Sequence, residues 1–271
     1  MEKRKVPLIA AHRGTYGGNI PCNSLAAIDT ALNQGADIIE LDVTRAQDGT
    51  LYILHPGMEW AHLGEHGRVP DMTAEQADAL RYVNMDRTPT QFGLVRFTDA
   101  LEHLRHRCRI NVDKFFDHPL EIAQAIRSMG MQEDVIVKTP SGAAWFDKVE
   151  TLAPDMPYIA VTHHDDFTPD LRKRNMRYIG TEVLFSDDTH GLASREYVDW
   201  MHAQGLIVWV NSIVYDYNTV LTGGHNDDIS VVGREDEGWG WLIDRGFDII
   251  QTDWVLPLRV YMYKRGLIEK I

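Results

Sequence analysis

The chain reads as an α/β protein, a closed (β/α)8 TIM barrel with a small insertion after its second strand. Three observations carry this expectation. Short β-branched runs alternate with amphipathic stretches along the whole chain, the pattern of βα units and a parallel sheet. Eight such runs fit within 271 residues, the size at which eight units close into a barrel. Gly35, Gly130, Gly205 and Gly246 each follow a helical stretch, where a C-terminal cap glycine belongs. An open doubly wound sheet is the structural alternative, but eight units favour closure.

The strands are expected at residues 8–11, 38–43, 109–113, 135–138, 158–161, 178–183, 206–210 and 248–252. Residues 1–5 form a basic start with a short apolar run behind it, superficially similar to a signal peptide. The run is too short and leads directly into His12-Arg13, so it reads as the first strand. Helices are expected at 24–34, 119–129, 143–152, 169–174, 194–204, 239–244 and 256–265. Residues 51–55 read as an extra short strand, paired back to 38–43 through the turn at Asp48-Gly49. After it, residues 56–97 read as an irregular insertion with one helix near 74–80. A second long irregular segment spans 215–238; segments of that length are usually lids or disordered.

A hydrophobic content of 44% supports one large core and a single domain over 1–271. No apolar run approaches about 18 residues, so no membrane-spanning helix is expected. Cys22 and Cys108 cannot form a disulfide framework, and free thiols fit a cytoplasmic, reducing location. A secreted chain with its signal removed has the same composition. The net charge of -13 disfavours nucleic acid and anionic membranes as partners. It leaves room for a small anionic substrate, because a bound cation and a few local bases reverse the potential within one pocket. Nothing in the sequence sets the oligomeric state.

Active sites of such barrels lie at the C-terminal ends of the strands. Read that way, one rim collects His12, Arg13, Glu40, Asp42, His55, Asp113, Lys114, Lys138 and Asn211. Glu40 and Asp42 stand two apart on one strand, so both face the same side, into the mouth. Two buried like charges are costly unless paired or metal-bound. Ion pairs with Arg13 or Lys114 are the alternative to a metal. Three carboxylates without a nearby cysteine are hard oxygen donors and suit Ca²⁺ or Mg²⁺ better than zinc. Lys138 is weighed evenly between a surface lysine and a phosphate contact. The runs Thr162-His163-His164-Asp165-Asp166, Asp187-Asp188-Thr189-His190 and Gly223 to Asp228 read as polar or solvated loops. Glu182 faces inward as a possible support.

The ordered set His12-Arg13-Gly14, Pro21-Cys22-Asn23-Ser24, Gly35 to Val43, Asp48-Gly49 and His55 resembles the signature of the glycerophosphodiester phosphodiesterase family. Asn111 to Lys114, Val208 to Asn211 and Ile250 to Asp253 resemble its later segments, so the likeness runs nearly the whole chain. The resemblance implies a TIM barrel that uses a divalent cation and two histidines to cleave glycerophosphodiesters into glycerol phosphate and an alcohol. Carried over by position, Glu40, Asp42 and Asp113 are the metal ligands, His12 and His55 the general acid and base in either order, and Arg13 the phosphoryl contact. The chain departs from the family pattern at Cys22, Ala46, Pro56 and the adjacent pair Asp113-Lys114. Adjacent strand residues face opposite ways, so Lys138 is expected to contact the phosphate in preference to Lys114. The rival readings are a phosphodiesterase of lysophospholipid or another diester, and a noncatalytic phosphodiester-binding barrel.

Overall fold

The computed structural model describes residues 6–271; residues 1–5, the basic start read above, lie outside the described residues. The barrel strands are β1 (Leu8–His12), β2 (Ile38–Arg45), β3 (Arg109–Asp113), β4 (Val135–Pro140), β5 (Tyr158–Thr162), β6 (Tyr178–Val183), β7 (Ile207–Asn211) and β8 (Ile249–Thr252). Each pairs in parallel with its neighbours, and β1 pairs with both β2 and β8, which closes the sheet. The expected eight-stranded closed barrel is what forms.

Side-chain alternation along each strand divides the protein into two kinds of interior. Outward residues such as Ile9, Leu41, Val112 and Val208 pack under the helices in the main core. Inward residues begin apolar, with Ala10, Ile38, Ile136, Ile159, Trp209 and Ile249 filling the barrel's lower half. One step further toward the C-terminal ends, the same inward rows carry His12, Glu40, Lys138, Glu182 and Asn211, all buried. A period of two therefore converts a dry floor into a charged mouth.

Helices Leu25–Asn33, Pro119–Ser128, Ala143–Leu152, Arg195–His202 and Val255–Lys264 cover the barrel where expected. After β5 the cover shrinks to one turn, Thr168–Leu171, and after β7 a π-helical turn, Asp236–Gly240, leads into Trp241–Arg245. Gly35, Gly130, Gly205 and Gly246 all adopt positive φ, as cap positions require.

Two features differ from the sequence reading. Helix Phe97–Leu104 lies between the insertion and β3, where no helix was expected. Its buried Phe97, Ala100, Leu101 and Leu104 follow a helical spacing that the preceding turn-rich segment masks. The insertion is also more ordered than an irregular loop. It contains helices Glu59–Leu63 and Ala74–Asp78, and a hairpin of Arg81–Val83 with Pro89–Gly93. Leu51–Ile53 continues the sheet antiparallel to the end of β2, and Val95–Arg96 adds to it. Tyr52, Leu54, Leu63, Val69 and Tyr82 give this subdomain its own small core. Tyr82 ties it to the barrel by donating its hydroxyl to the carbonyls of Asn23 and Ile53, at 3.1 and 3.3 Å.

Gly14 fixes how the loop after β1 meets helix Leu25–Asn33. Its φ is +78°, and a Cβ there would lie 2.6 Å from the Ala27 carbonyl carbon. Gly14→Ala is accordingly expected to cost ~2 kcal/mol or more. A urea midpoint equal to wild type would contradict that close-approach role.

Candidate active site

Strand register assembles the mouth. His12 lies opposite Glu40 across β1 and β2, and Asp42 opposite Asp113 across β2 and β3. Carboxylate oxygens of Glu40, Asp42 and Asp113 all come within 4.8 Å of one another, the one such cluster among the described residues. Glu40 and Asp42 are shut off from solvent.

Cations compensate part of this charge. The Arg13 guanidinium Nε stands 2.7 Å from Asp42 Oδ2, while the Arg13 backbone N–H donates to Glu40 Oε2 at 3.0 Å. Asn23 Nδ2 donates to Asp42 Oδ2 at 3.0 Å. Lys114 Nζ contacts Asp113 Oδ2 at 2.8 Å. Both ion pairs considered as the alternative to a metal are therefore present, yet they do not balance the cluster. Glu40 receives no salt bridge among the described residues, and Asp42 Oδ1 is buried without a hydrogen-bond partner. Burial, then the charges of Asp42 and Asp113, push the Glu40 pKa up to about 7 against the pull of His12 and Arg13. Burial acts in the same direction on Asp113, but Lys114 and Lys138 outweigh it and hold that carboxyl far below its ordinary range.

Backbone strain collects here. Of the five non-glycine residues with positive φ among the described residues, Arg13, Asn23 and Lys114 all contact the carboxylates. Each such conformation costs on the order of 1–3 kcal/mol and persists only where surrounding structure enforces it. For Lys114 it overturns the expectation that the side chain points away. At φ +59° the strand alternation has ended, and Lys114 lines the same cavity of about 190 Å³ as Asp113, Lys138, Asn211 and Tyr215. Lys138 is buried, not a surface lysine. Its Nζ lies 2.5 Å from Glu182 Oε2 and 4.7 Å from the centre of the Trp209 ring. Asn211 Nδ2 donates to Glu182 Oε1 at 2.6 Å, so Asn211 and Lys138 share one carboxylate support.

The two histidines sit in different surroundings. His12 Nδ1 is 2.8 Å from Asp253 Oδ1. Burial opposes its charge, but Asp253, with Glu40 behind it, prevails and raises its pKa. His55 Nδ1 lies 3.0 Å from the Pro56 carbonyl, which can only accept. Burial lowers the His55 pKa and Arg13 and Lys114 add to this, with Asp42 opposing.

Asp253 is a site residue absent from the expected set. It directly follows β8, and its partner His12 lies 241 positions away. Only closure of the barrel makes that contact visible. The long loop after β7 supports it and is not merely solvated. Asp227 is buried, accepts the Asp253 backbone N–H at 2.9 Å, and also accepts from Trp239, Ser212 and Thr252. Tyr215 from the same loop meets His12 edge-on, with ring centres 6.1 Å apart. In the loop after β5, Asp165 accepts from Thr168 and Tyr197, a structural role.

Because Glu40 titrates high in the fold, its contribution runs opposite to that of a salt-bridged carboxylate. The protonated form is favoured, so the contribution is intact below about 4.5 and is lost as pH rises through about 7. In cation-free buffer the protein should lose stability across that window, and Glu40→Gln should flatten the loss. Parallel stability–pH curves for both proteins would contradict the assignment.

A family model described as a domain of unknown function matches residues 155–262. A glycerophosphodiester phosphodiesterase of Caldanaerobacter subterraneus subsp. tengcongensis is 40% identical over 160 residues, covering 55% of this chain and 64% of that protein. The chain thus spans less than two thirds of the length of the curated relatives it matches first. A glycerophosphoryl diester phosphodiesterase from Parabacteroides distasonis superposes with a TM-score of 0.81 at 20% identity, over 98% of this chain and 89% of that one. An Oleispira antarctica phosphodiesterase, solved with the product sn-glycerol-3-phosphate, gives 0.64 at 17% identity, over 96% and 97%. The chain thus has the fold of the glycerophosphodiester phosphodiesterase family, whose members are its curated and structural neighbours.

Proposed function

We propose that the protein hydrolyses a glycerophosphodiester to glycerol phosphate and an alcohol, with one divalent cation, Ca²⁺ or Mg²⁺, held by Glu40, Asp42 and Asp113. The observation that carries this reading is the buried, under-compensated carboxylate cluster beside two histidines, an arginine and two lysines. The names of the sequence relatives and the glycerol phosphate bound by one structural neighbour support the same substrate class.

The residues fit a hard cation. They offer three oxygen donors within 4.8 Å of one another, and Asp42 Oδ1 has no other partner. When bound, the cation supplies Lewis-acid stabilisation of charge building on a phosphate oxygen. Arg13, anchored by Asp42, and Lys114, anchored by Asp113, supply charge-assisted hydrogen bonds to the phosphoryl group. Lys138, held by Glu182, adds positive potential from the same cavity wall.

The hydrogen bonds divide the proton work. A His55 Nδ1–H donated to the Pro56 carbonyl leaves Nε2 with its lone pair, and the lowered pKa keeps the ring neutral. His55 is the general base that takes a proton from the nucleophile, either water or the neighbouring glycerol hydroxyl. His12 holds its proton through the Asp253 carboxylate and is the general acid that protonates the leaving alcohol oxygen. The oxygen–phosphorus bond to the nucleophile forms as the bond to that alcohol breaks; where the nucleophile is the glycerol hydroxyl, water then opens the cyclic phosphate in a second step, with the two histidines exchanging roles, to give glycerol phosphate.

Glycerol phosphate release from glycerophosphocholine should disappear with chelator and return with added Ca²⁺ or Mg²⁺. His12→Ala and His55→Ala should each lose roughly 10²–10⁴-fold in kcat while staying folded; near-wild-type turnover in either would sink the assignment. Asp253→Asn should shift the alkaline limb of the kcat/KM–pH profile to lower pH, because His12 loses the anion that holds its proton. The acidic limb, set by His55, should stay in place. Movement of the acidic limb alone would reverse the two roles.

A further inference from the structure

A second cavity, of about 420 Å³, lies between the loop after β1 and the insertion. Ile20, Pro21, Ala61, Val83 and Met85 line it together with Tyr16 and two glycines, and no lysine, arginine, aspartate or glutamate does. The two amide side chains there are already occupied. Asn84 Nδ2 donates to Asn19 Oδ1, Asn19 Nδ2 donates to Gln91 Oε1, and Asn84 Oδ1 accepts from the backbone of Asp86 and Thr88. With both amides occupied, the polar groups left in the lining are the His62 imidazole and the Tyr16 hydroxyl, the latter already given to Asp253.

Its two ends are unlike. The inner end is Cys22, 3% exposed, with its Sγ 3.8 Å from His62 Nε2. Asn23, the next residue after Cys22, donates its backbone N–H to the Arg13 carbonyl at 2.9 Å and its Nδ2 to Asp42 at 3.0 Å, so this end adjoins the phosphoryl position. The outer end is Met85, 91% exposed; Tyr16 also lines the slot, with its hydroxyl donating to Asp253 Oδ1 at 3.3 Å. Trp60, next to the lining Ala61, is also 56% exposed, with the Arg87 guanidinium 4.2 Å above its ring. The result is an apolar slot that starts beside the phosphate and opens to solvent past a methionine. Hydrocarbon is the occupant that such a wall stabilises, through removal of apolar surface from water.

We propose that this cavity is the subsite for the hydrocarbon arm of a monoacyl or monoalkyl phosphodiester, making a lysophospholipid-type amphiphile the preferred substrate class of the site. The proposal rests on the phosphodiesterase reading above. The slot's continuity with the Arg13 side of the site selects an arm attached to the reacting phosphate. The exposed Met85 mouth lets a chain longer than the cavity extend outward.

The test compares kcat/KM for lysophosphatidylcholine, below its critical micelle concentration, with that for glycerophosphocholine. Wild type should prefer the acylated substrate. Ala61→Trp, which fills the slot, should lower turnover of lysophosphatidylcholine at least tenfold and leave glycerophosphocholine unchanged. Met85→Glu, at an exposed position that does not endanger folding, should lower it several-fold in the same selective way. Equal loss on both substrates, or no loss, overturns the proposal. Hydrolysis of glycerophosphocholine alone by wild type overturns the subsite and leaves the phosphodiesterase reading standing. If neither substrate turns over with metal present, the phosphodiesterase reading fails, and calorimetry with dodecylphosphocholine below its critical micelle concentration decides the subsite. Saturable binding that Ala61→Trp abolishes supports it, and absence of binding by wild type overturns it.

Discussion

Glu40, Asp42 and Asp113 share a space within 4.8 Å where two of the three are sealed from water. Like charges repel, and burial removes the solvent that would screen them, so this cluster is costly to fold. Much of the mouth is organised around that cost. Arg13 and Lys114 take up left-handed backbone conformations that bring their cations onto Asp42 and Asp113, and Asn23, also left-handed, donates to the same Asp42 oxygen that Arg13 contacts. Even so, Glu40 keeps an elevated pKa and one oxygen of Asp42 remains unpartnered. A protein seeking only stability would place apolar residues at these inward positions, as the barrel does one layer below.

The same alternation that drives the carboxylates together also sorts the helpers around them. β1 delivers His12 next to Glu40, β4 and β6 bring Lys138 onto Glu182, and β7 adds Asn211 to that pair. The segment after β8 supplies Asp253 to His12, and Asp227, from the loop after β7, fixes Asp253 in turn. The insertion has two tasks. It packs its own core against the end of β2, and it forms one wall of the apolar slot beside Cys22. On the two readings proposed above, the reacting groups stand at the ends of barrel strands and in the residues that follow them, and the hydrocarbon arm rests on the insertion and the loop after β1.

Much of this was legible in the chain itself. Period-two patterning located the barrel strands, the cap glycines marked helix ends, and the two-residue spacing of Glu40 and Asp42 put both in the mouth. What escaped was what depends on three-dimensional closure or on broken periodicity. The sequence places Asp253 just after the eighth strand, but its partner His12 lies 241 positions away and only closure of the barrel pairs them. Strand alternation carried one residue past the end of β3 points Lys114 away from the mouth, but the backbone there turns left-handed and brings it in. Helix Phe97–Leu104 is hidden in the sequence because Phe97 reads as the close of the insertion, whereas it is the first residue of a buried helical face. The loop containing Asp227 was read as solvated since its acidic residues look surface-bound in sequence, whereas Asp227 is buried under four hydrogen-bond donors.

The cation site is the claim on which the rest stands, and calorimetric titration of Ca²⁺ and Mg²⁺ into the protein tests it most directly. One of the two should bind wild type with one-to-one stoichiometry, and Asp42→Asn, which removes charge from the cluster with little change in volume, should weaken that binding by about 100-fold or more. Identical affinity in the two proteins, or no binding of either ion to wild type, would contradict the account. The carboxylate cluster would then be an ion-pair network closed by Arg13 and Lys114 alone.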